Sequence, residues 1–371
     1  MMKITTIVGA RPQFVKASVV SRAIQAYNLL GNDQISERLV HTGQHYDDKM
    51  SQCFFDELGM KSPDINLAVG SGLHGEQTGK MISAIESDLV AHRPDCVLLY
   101  GDTNSTLAGA IAASKLNIPI AHVEAGLRSY NRNMPEEINR ILTDRVSSRL
   151  YAPTFAAVGN LYREGYDPDL VVNTGDVMYD AALHYQKVAA EVSAAAPAEN
   201  YILCTVHRAE NTDDLEKLQV IVESLCSLSK DYNIIFPMHP RTKKVLKSAQ
   251  MYSLLEECPR ISLRDPVGYL DMVSLEANAQ LILTDSGGVQ KEAFFHKIPC
   301  VTLREETEWV ETLSDGCNRL VPPTNADLIT EAVKKSLSEP PTTYTSLYGF
   351  GHAGERIVID LVKSHKGERD V

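Results

Sequence analysis

The stretch from Ile282 to Phe295 reads "ILTDSGGVQKEAFF". A short apolar strand stops at Asp285, Ser286, Gly287 and Gly288, and a helix-forming segment starts at once. A strand that turns directly into a helix is half of a βαβ unit. Two glycines after a serine let such a turn present backbone N–H groups at the helix start, where an anion can sit.

The same rhythm runs outward in both directions. "ITTIV" (4–8) precedes "GARP" and a helix to about Tyr27; "ERLVHTG", "DCVLLYGDT" and "IPIAHVEAG" follow. After a break near 176–200, containing "VSAAAPAEN", it restarts with "YILCTVHR" (201–208), "YNIIFPMHP" (232–240), "RISLRDP" (260–266), "LILTDSGG" (281–288) and "IPCVTLREETE" (298–308). Strands without polar alternation are buried on both faces, as in parallel sheets. The expected fold is α/β, with two Rossmann-like doubly wound domains, 1–176 and 177–353, and a ligand cleft between them. A last helix, 354–371, is expected to pack back on the first domain.

Composition limits the partners. The 371 residues fit two or three domains at about 150 residues each. A net charge of −12 argues against nucleic acid or an anionic membrane as a general partner. The seven cysteines form no Cys-x-x-Cys pair, and Cys96, Cys204 and Cys300 lie inside apolar strands. This reads as a reduced, cytoplasmic protein. No signal peptide and no membrane span of about 20 apolar residues is expected.

In open parallel sheets ligands sit beyond the carboxyl ends of the strands, so the polar residues there are the candidates. Arg11 and Lys16 lie around the start of the first helix, the end where the dipole disfavours cations. A bound anion explains them; the alternative is that they extend into water. Asp102 follows one strand and serves either as an N-cap or as a functional carboxylate. Glu124 ends another strand within an apolar run, where a carboxylate must be functional or paired, with Arg128 as the nearby cation. Both strands flank one helix, so they should be neighbours. Glu136 and Glu137 stand in the first turn of a helix opened by Pro135, where dipole complementarity alone accounts for them. His207 with Arg208, and His239 with Arg241, close two strands of the second half. His41 and His45 have i,i+4 spacing, but Gly43 and the loop-like composition argue against a zinc site, so no metal is expected.

Taken in order, "GARPQFVKAS", "GDTNSTLAGA", "HVEAGLRS", "PEEINR", "VHRAEN", "LTDSGGVQKEA" and "YGFGHAGERI" resemble the non-hydrolysing UDP-N-acetylglucosamine 2-epimerase family over residues 3–360. The resemblance includes relatives acting on UDP-2,3-diacetamido-2,3-dideoxyglucuronate. It implies the glycosyltransferase-B arrangement, a homodimer and a UDP-amino-sugar substrate. Asp102, Glu124, Glu136 and His207 match the family's catalytic and active-site positions. Arg11 and Lys16 match contacts around the diphosphate. Arg208 and His239 belong to the same substrate-binding set. Ser286, Gly287, Gly288 and Glu292 match uridine-diphosphate contacts, with Glu292 on the ribose hydroxyls.

The implied reaction is anti elimination of UDP to a glycal followed by re-addition, with no nicotinamide or other cofactor. The absence of Gly-x-Gly-x-x-Gly after the first strand agrees with that. Charge-assisted hydrogen bonds from Arg11, Lys16 or His207 would add about 1.5–3 kcal/mol each at the leaving group. Clustered carboxylates would raise one another's pKa. A hydrolysing epimerase and a glycosyltransferase of the same fold are the alternatives. The sequence departs from the family pattern at "EWVE" (308–311), which carries the only tryptophan, at "MHPRT" (238–242) and at "TGQHYDDKM" (42–50).

Overall fold

The structure, a computed structural model, describes residues 1–31, 34–44, 55 and 57–367. The chain forms two compact units, Met1–Ala181 with Ser346–Val371, and Ala182–Thr345. The division falls inside the helix Val177–Val192.

The first unit holds seven parallel strands: β1 (Met2–Val8), β2 (Ile35–His41), β3 (Ile65–Asn66), β4 (Cys96–Tyr100), β5 (Ile120–Val123), β6 (Arg149–Ala152) and β7 (Val171–Asn173). Their order is β3-β2-β1-β4-β5-β6-β7. Every residue of β4 and β5 is buried, as strands covered by helices on both faces must be. Ile7, Val97 and Leu99 pack with Met81, Ile85 and Ala110 in one core cluster. Tyr100 pairs with Val123, so β4 and β5 are neighbours and their carboxyl ends emerge side by side.

The C-terminal helix Ala353–Gly367 lies against the helix Arg11–Leu29 within this unit. A Cβ on Gly354 would stand 2.9 Å from Val19 Cγ1. Asp360 on the same helix accepts from Arg149 Nε and from the Tyr151 hydroxyl, both at 3.0 Å, tying it to β6.

The second unit holds six parallel strands: β8 (Tyr201–Thr205), β9 (Asn233–Pro237), β10 (Ile261–Arg264), β11 (Leu281–Thr284), β12 (Cys300–Thr302) and β13 (Asn318–Leu320). Their order is β10-β9-β8-β11-β12-β13. Both sheets are doubly wound, and each has one place where strand order reverses: between β1 and β4, and between β8 and β11. Crevices at such reversals are where ligands enter open α/β sheets. Among the described residues no helix is long and apolar enough to cross a membrane.

Two glycines of the first unit separate backbone strain from steric conflict. Gly126 has φ +80, and a Cβ there would lie 2.5 Å from the Ala157 carbonyl oxygen; Gly165 has φ +79 with nothing within 4 Å. Gly165→Ala is expected to cost about 1 kcal/mol for the left-handed backbone. Gly126→Ala is expected to cost about 3 kcal/mol, because the neighbouring helix must also move. Thermal unfolding of the two variants side by side measures the difference.

Candidate active site

At the reversal of the first sheet, the turn after β1 and the turn after β4 are held together by Gln13. Its side-chain oxygen accepts from Gly9 N (2.8 Å) and Ala10 N (3.1 Å). Its amide nitrogen donates to Tyr100 O (2.8 Å) and Thr106 Oγ1 (2.9 Å). One turn further along the same helix, Lys16 forms an ion pair with Glu124, and both side chains are largely buried. The two groups border Gly101: a Cβ there would be 3.1 Å from Lys16 Nζ and 3.3 Å from Glu124 Oε2.

Glu124 is thus not paired with Arg128. That arginine is committed to Asp144 and Glu164. Glu124 also has φ +75, outside the range bulky residues favour. It is held there because Glu124 N and Ala125 N both donate to Tyr151 O, each at 3.1 Å. Such strain costs about 1–3 kcal/mol and persists where the surroundings over-determine it.

Asp102 is not the helix cap. Thr103 caps the next helix, accepting from Thr106 N, which leaves the Asp102 carboxylate to receive Arg140 Nε at 3.0 Å. Arg140 also binds the buried Glu137 at 2.6 Å. Burial pushes the Glu137 carboxyl up, but backbone N–H groups of Ser129 and Tyr130 and the Arg140 charge outweigh it and hold it below the usual range. Arg140 thus bridges Asp102 and Glu137, and the Glu124 charge is a smaller contribution to holding it protonated. Asp102 and Glu124 each lie beside a cation, Arg140 and Lys16. Glu136 is exposed in the first turn of Pro135–Val146, one turn before Arg140. Arg11 is exposed at the first position of its helix.

Behind these turns lies His122, fully buried. Its Nδ1 is 2.6 Å from Asp144, and its Nε2 donates to the Gly101 carbonyl at 2.7 Å. It fixes the backbone that carries Asp102.

At the reversal of the second sheet the tie is Asp285, also fully buried. Its carboxylate accepts from His207 N (3.0 Å), Arg208 N (3.0 Å) and Asn211 Nδ2 (3.1 Å). Ser286 caps the helix Gly287–Phe295, accepting from Val289 N. Arg208 NH2 lies 3.7 Å from where a Gly287 Cβ would be, and Gly288 is open, with Ser286 Oγ and Glu292 at 3.9 Å from its own Cβ position. The His207 and His239 rings are 5.9 Å apart. Burial first, then His239 and Arg208, push the His207 imidazole down against the pull of Asp285. His239 caps Pro240–Ser248, accepting from Arg241 N, and Arg241 is paired with Asp213 at 2.7 Å.

Glu292 stands one turn into the Ser-Gly-Gly helix. Burial pushes its carboxyl up to about 7, with Lys291 opposing. Glu276, 1% exposed, is pushed well above the usual range by burial and then by Glu292. The Lys291 ammonium lies 4.1 Å from the centroid of the Trp309 ring, so that indole is engaged by a cation of its own chain.

The structure thus gathers Lys16, Asp102 and Glu124 in the first unit, with Glu136 and Arg11 on adjoining helix starts. In the second it gathers His207, Arg208, His239, Ser286, Gly287, Gly288 and Glu292. Sequence reasoning missed Gln13, Arg140 and the role of Asp285. His45 lies outside the described residues. Among the described residues no group of three or more His, Cys, Asp or Glu side chains could hold a metal.

Comparison with known proteins adds the following. The profile of a family described as UDP-N-acetylglucosamine 2-epimerase matches residues 28–362. A Methanococcus maripaludis protein named UDP-N-acetylglucosamine 2-epimerase homolog is 50% identical over 363 residues, covering 96% of this chain and 98% of its own. The UDP-2,3-diacetamido-2,3-dideoxy-D-glucuronate 2-epimerase of Pseudomonas aeruginosa is 50% identical over 365 residues, covering 98% of this chain and 100% of its own. The crystal structure of Methanocaldococcus jannaschii UDP-GlcNAc 2-epimerase in complex with UDP-GlcNAc and UDP is similar at a TM-score of 0.85 and 45% identity, covering 98% of this chain and 100% of that one.

Two outcomes follow from the second tie and its helix. Asp285→Ala leaves three N–H donors facing a cavity and is expected to lower stability by about 3 kcal/mol or more in urea unfolding. Glu292 keeps its proton to about 7 in the folded chain against 4.5 ordinarily. The folded state then binds more protons across that window, so this contribution to stability is present below it and lost as pH rises through about 7. Relative to Glu292→Gln, the wild-type denaturant midpoint should fall between about pH 5 and about pH 8.

Proposed function

This chain belongs to the UDP-N-acetylglucosamine 2-epimerase family, and from that premise we propose that it interconverts UDP-N-acetylglucosamine and UDP-N-acetylmannosamine without hydrolysis. The chain is an epimerase; the substrate and the route are our reading. The C2 proton of an N-acetyl sugar has no adjacent carbonyl to accept the charge left by its removal. Elimination avoids that charge. The C2–H and C1–O bonds break, a C1=C2 double bond forms, and UDP departs with the electron pair. Return of UDP to C1 with a proton delivered to the opposite face of C2 completes the inversion.

One observation carries this reading: each sheet places its matching residues at its own point of strand reversal. In the first unit the carboxylates Asp102 and Glu124 stand there, each beside a cation. Together with Glu136 they are our candidates for proton transfer at C2. In the second unit the Ser286-Gly287-Gly288 turn, Arg208 and His207 form a seat for the diphosphate, and Glu292 is suited to the ribose hydroxyls. Arg11 and Lys16 in the first unit, and His239 in the second, are our further candidates for polar contact with substrate. A cytoplasmic homodimer belongs to the same reading and rests on the family resemblance.

The same chemistry on UDP-2,3-diacetamido-2,3-dideoxyglucuronate is the second reading, favoured by the Pseudomonas aeruginosa relative at 50% identity. Arg241 is a weak candidate for the sugar carboxylate, because Asp213 already occupies it.

Incubation of the protein with each nucleotide sugar in deuterated water tests both. The expected result is deuterium at C2 in both epimers with the nucleotide sugar conserved. Asp102→Asn and Glu124→Gln should each lower kcat by about 10²–10⁴-fold while UDP still binds in calorimetry. Exchange only with the diacetamido-uronate selects the second reading. Release of free N-acetylmannosamine indicates hydrolysis. Binding without exchange of either substrate contradicts an epimerase.

A further inference from the structure

Resting on the reading of the Ser-Gly-Gly turn as a phosphate seat, a second feature of that turn gains a meaning. A carboxylate already borders that turn. A Cβ built on Gly287 would collide with Glu308 Oε1. The same oxygen lies 3.9 Å from Arg208 NH2, and Glu308 Oε2 accepts from Arg304 NH1 at 2.8 Å. Burial pushes the Glu308 carboxyl up, but its own backbone N–H, Arg304 and Arg208 outweigh this and hold it below the usual range.

The segment is delivered there by its neighbours. Thr307 Oγ1 donates to the buried Gln290 Oε1 at 2.7 Å and accepts from Trp309 N at 3.1 Å. Backbone on both sides of Glu308 is thereby tied to the helix Gly287–Phe295. The side chains differ in freedom: Arg304 is 8% exposed and fixed, whereas Glu308 is 32% exposed and can turn toward water.

A carboxylate and a phosphate cannot share one helix start and one arginine without strong repulsion. We propose that Glu308 is a displaceable internal anion that determines nucleotide affinity. It fills the phosphate seat of the unliganded chain, keeps Arg208 and Arg304 neutralised, and turns away when a nucleoside diphosphate binds. A ligand without phosphates does not compete with it.

Calorimetric titration of the full chain and of Glu308→Gln with UDP and with uridine tests this. Glutamine keeps the size of the side chain and a carbonyl oxygen for Arg304. The expected result is about tenfold tighter UDP binding by Glu308→Gln, with uridine changed by less than about twofold. Equal or weaker UDP binding by the variant overturns the proposal. If Glu308→Gln fails to fold, Glu308→Asp, whose carboxylate is drawn back from Gly287, should also bind UDP more tightly, and no gain overturns the proposal equally. Wild-type protein that binds no UDP at all removes the phosphate seat itself, a different result from UDP binding that Glu308 does not influence.

Discussion

Two buried polar side chains hold the places where the sheets reverse. Gln13 ties the turn after β1 to the turn after β4, and Asp285 ties the turn after β11 to the turn after β8. The problem they solve is the same. At a reversal two helices leave in opposite directions, and the backbone N–H groups of the diverging turns have no ladder partner. Leaving one unsatisfied in the interior costs about 1–3 kcal/mol. A single side chain with several hydrogen-bonding sites satisfies them together. It also fixes the spacing of the strand ends, which every functional side chain inherits.

On these fixed turns the chain places charges in pairs. Lys16 meets Glu124, and Asp102 meets Arg140. Within an overall net charge of −12, this keeps the cations local and leaves the surface acidic. Such pairing presets the geometry before substrate arrives, so little reorganisation is left for the reaction itself. The left-handed backbone of Glu124 fits this account: a strained residue is tolerated where its carboxylate must reach Lys16.

Much of this was legible in the sequence because the signal was local. Uninterrupted apolar runs marked the long strands, and the polar residues just after them gave the candidate site. Four short strands escaped. β3 has only two residues, the three-residue β7 and β13 are only partly buried and carry polar Asn173, Asn318 and Arg319, and β6 opens on the polar Arg149, whereas the equally short β12 is fully buried and was legible. Pairing was the harder part. Arg128 is the cation nearest to Glu124 in sequence, yet Lys16, 108 residues away, is its partner. Gln13 reaches Tyr100 across 87 residues. Such ties depend on strand order, which composition and periodicity do not reveal. The motif resemblance supplied Glu292, since nothing in its own surroundings of sequence sets it apart.

The central claim is that the bond between C1 and UDP breaks and re-forms in every inversion at C2. Positional isotope exchange reads this directly. A nucleotide sugar carrying ¹⁸O in the bridge between C1 and the β-phosphorus should lose label from the bridge to the non-bridging β-phosphate oxygens as it epimerises. Inversion at C2 with the label wholly retained in the bridge would contradict the account.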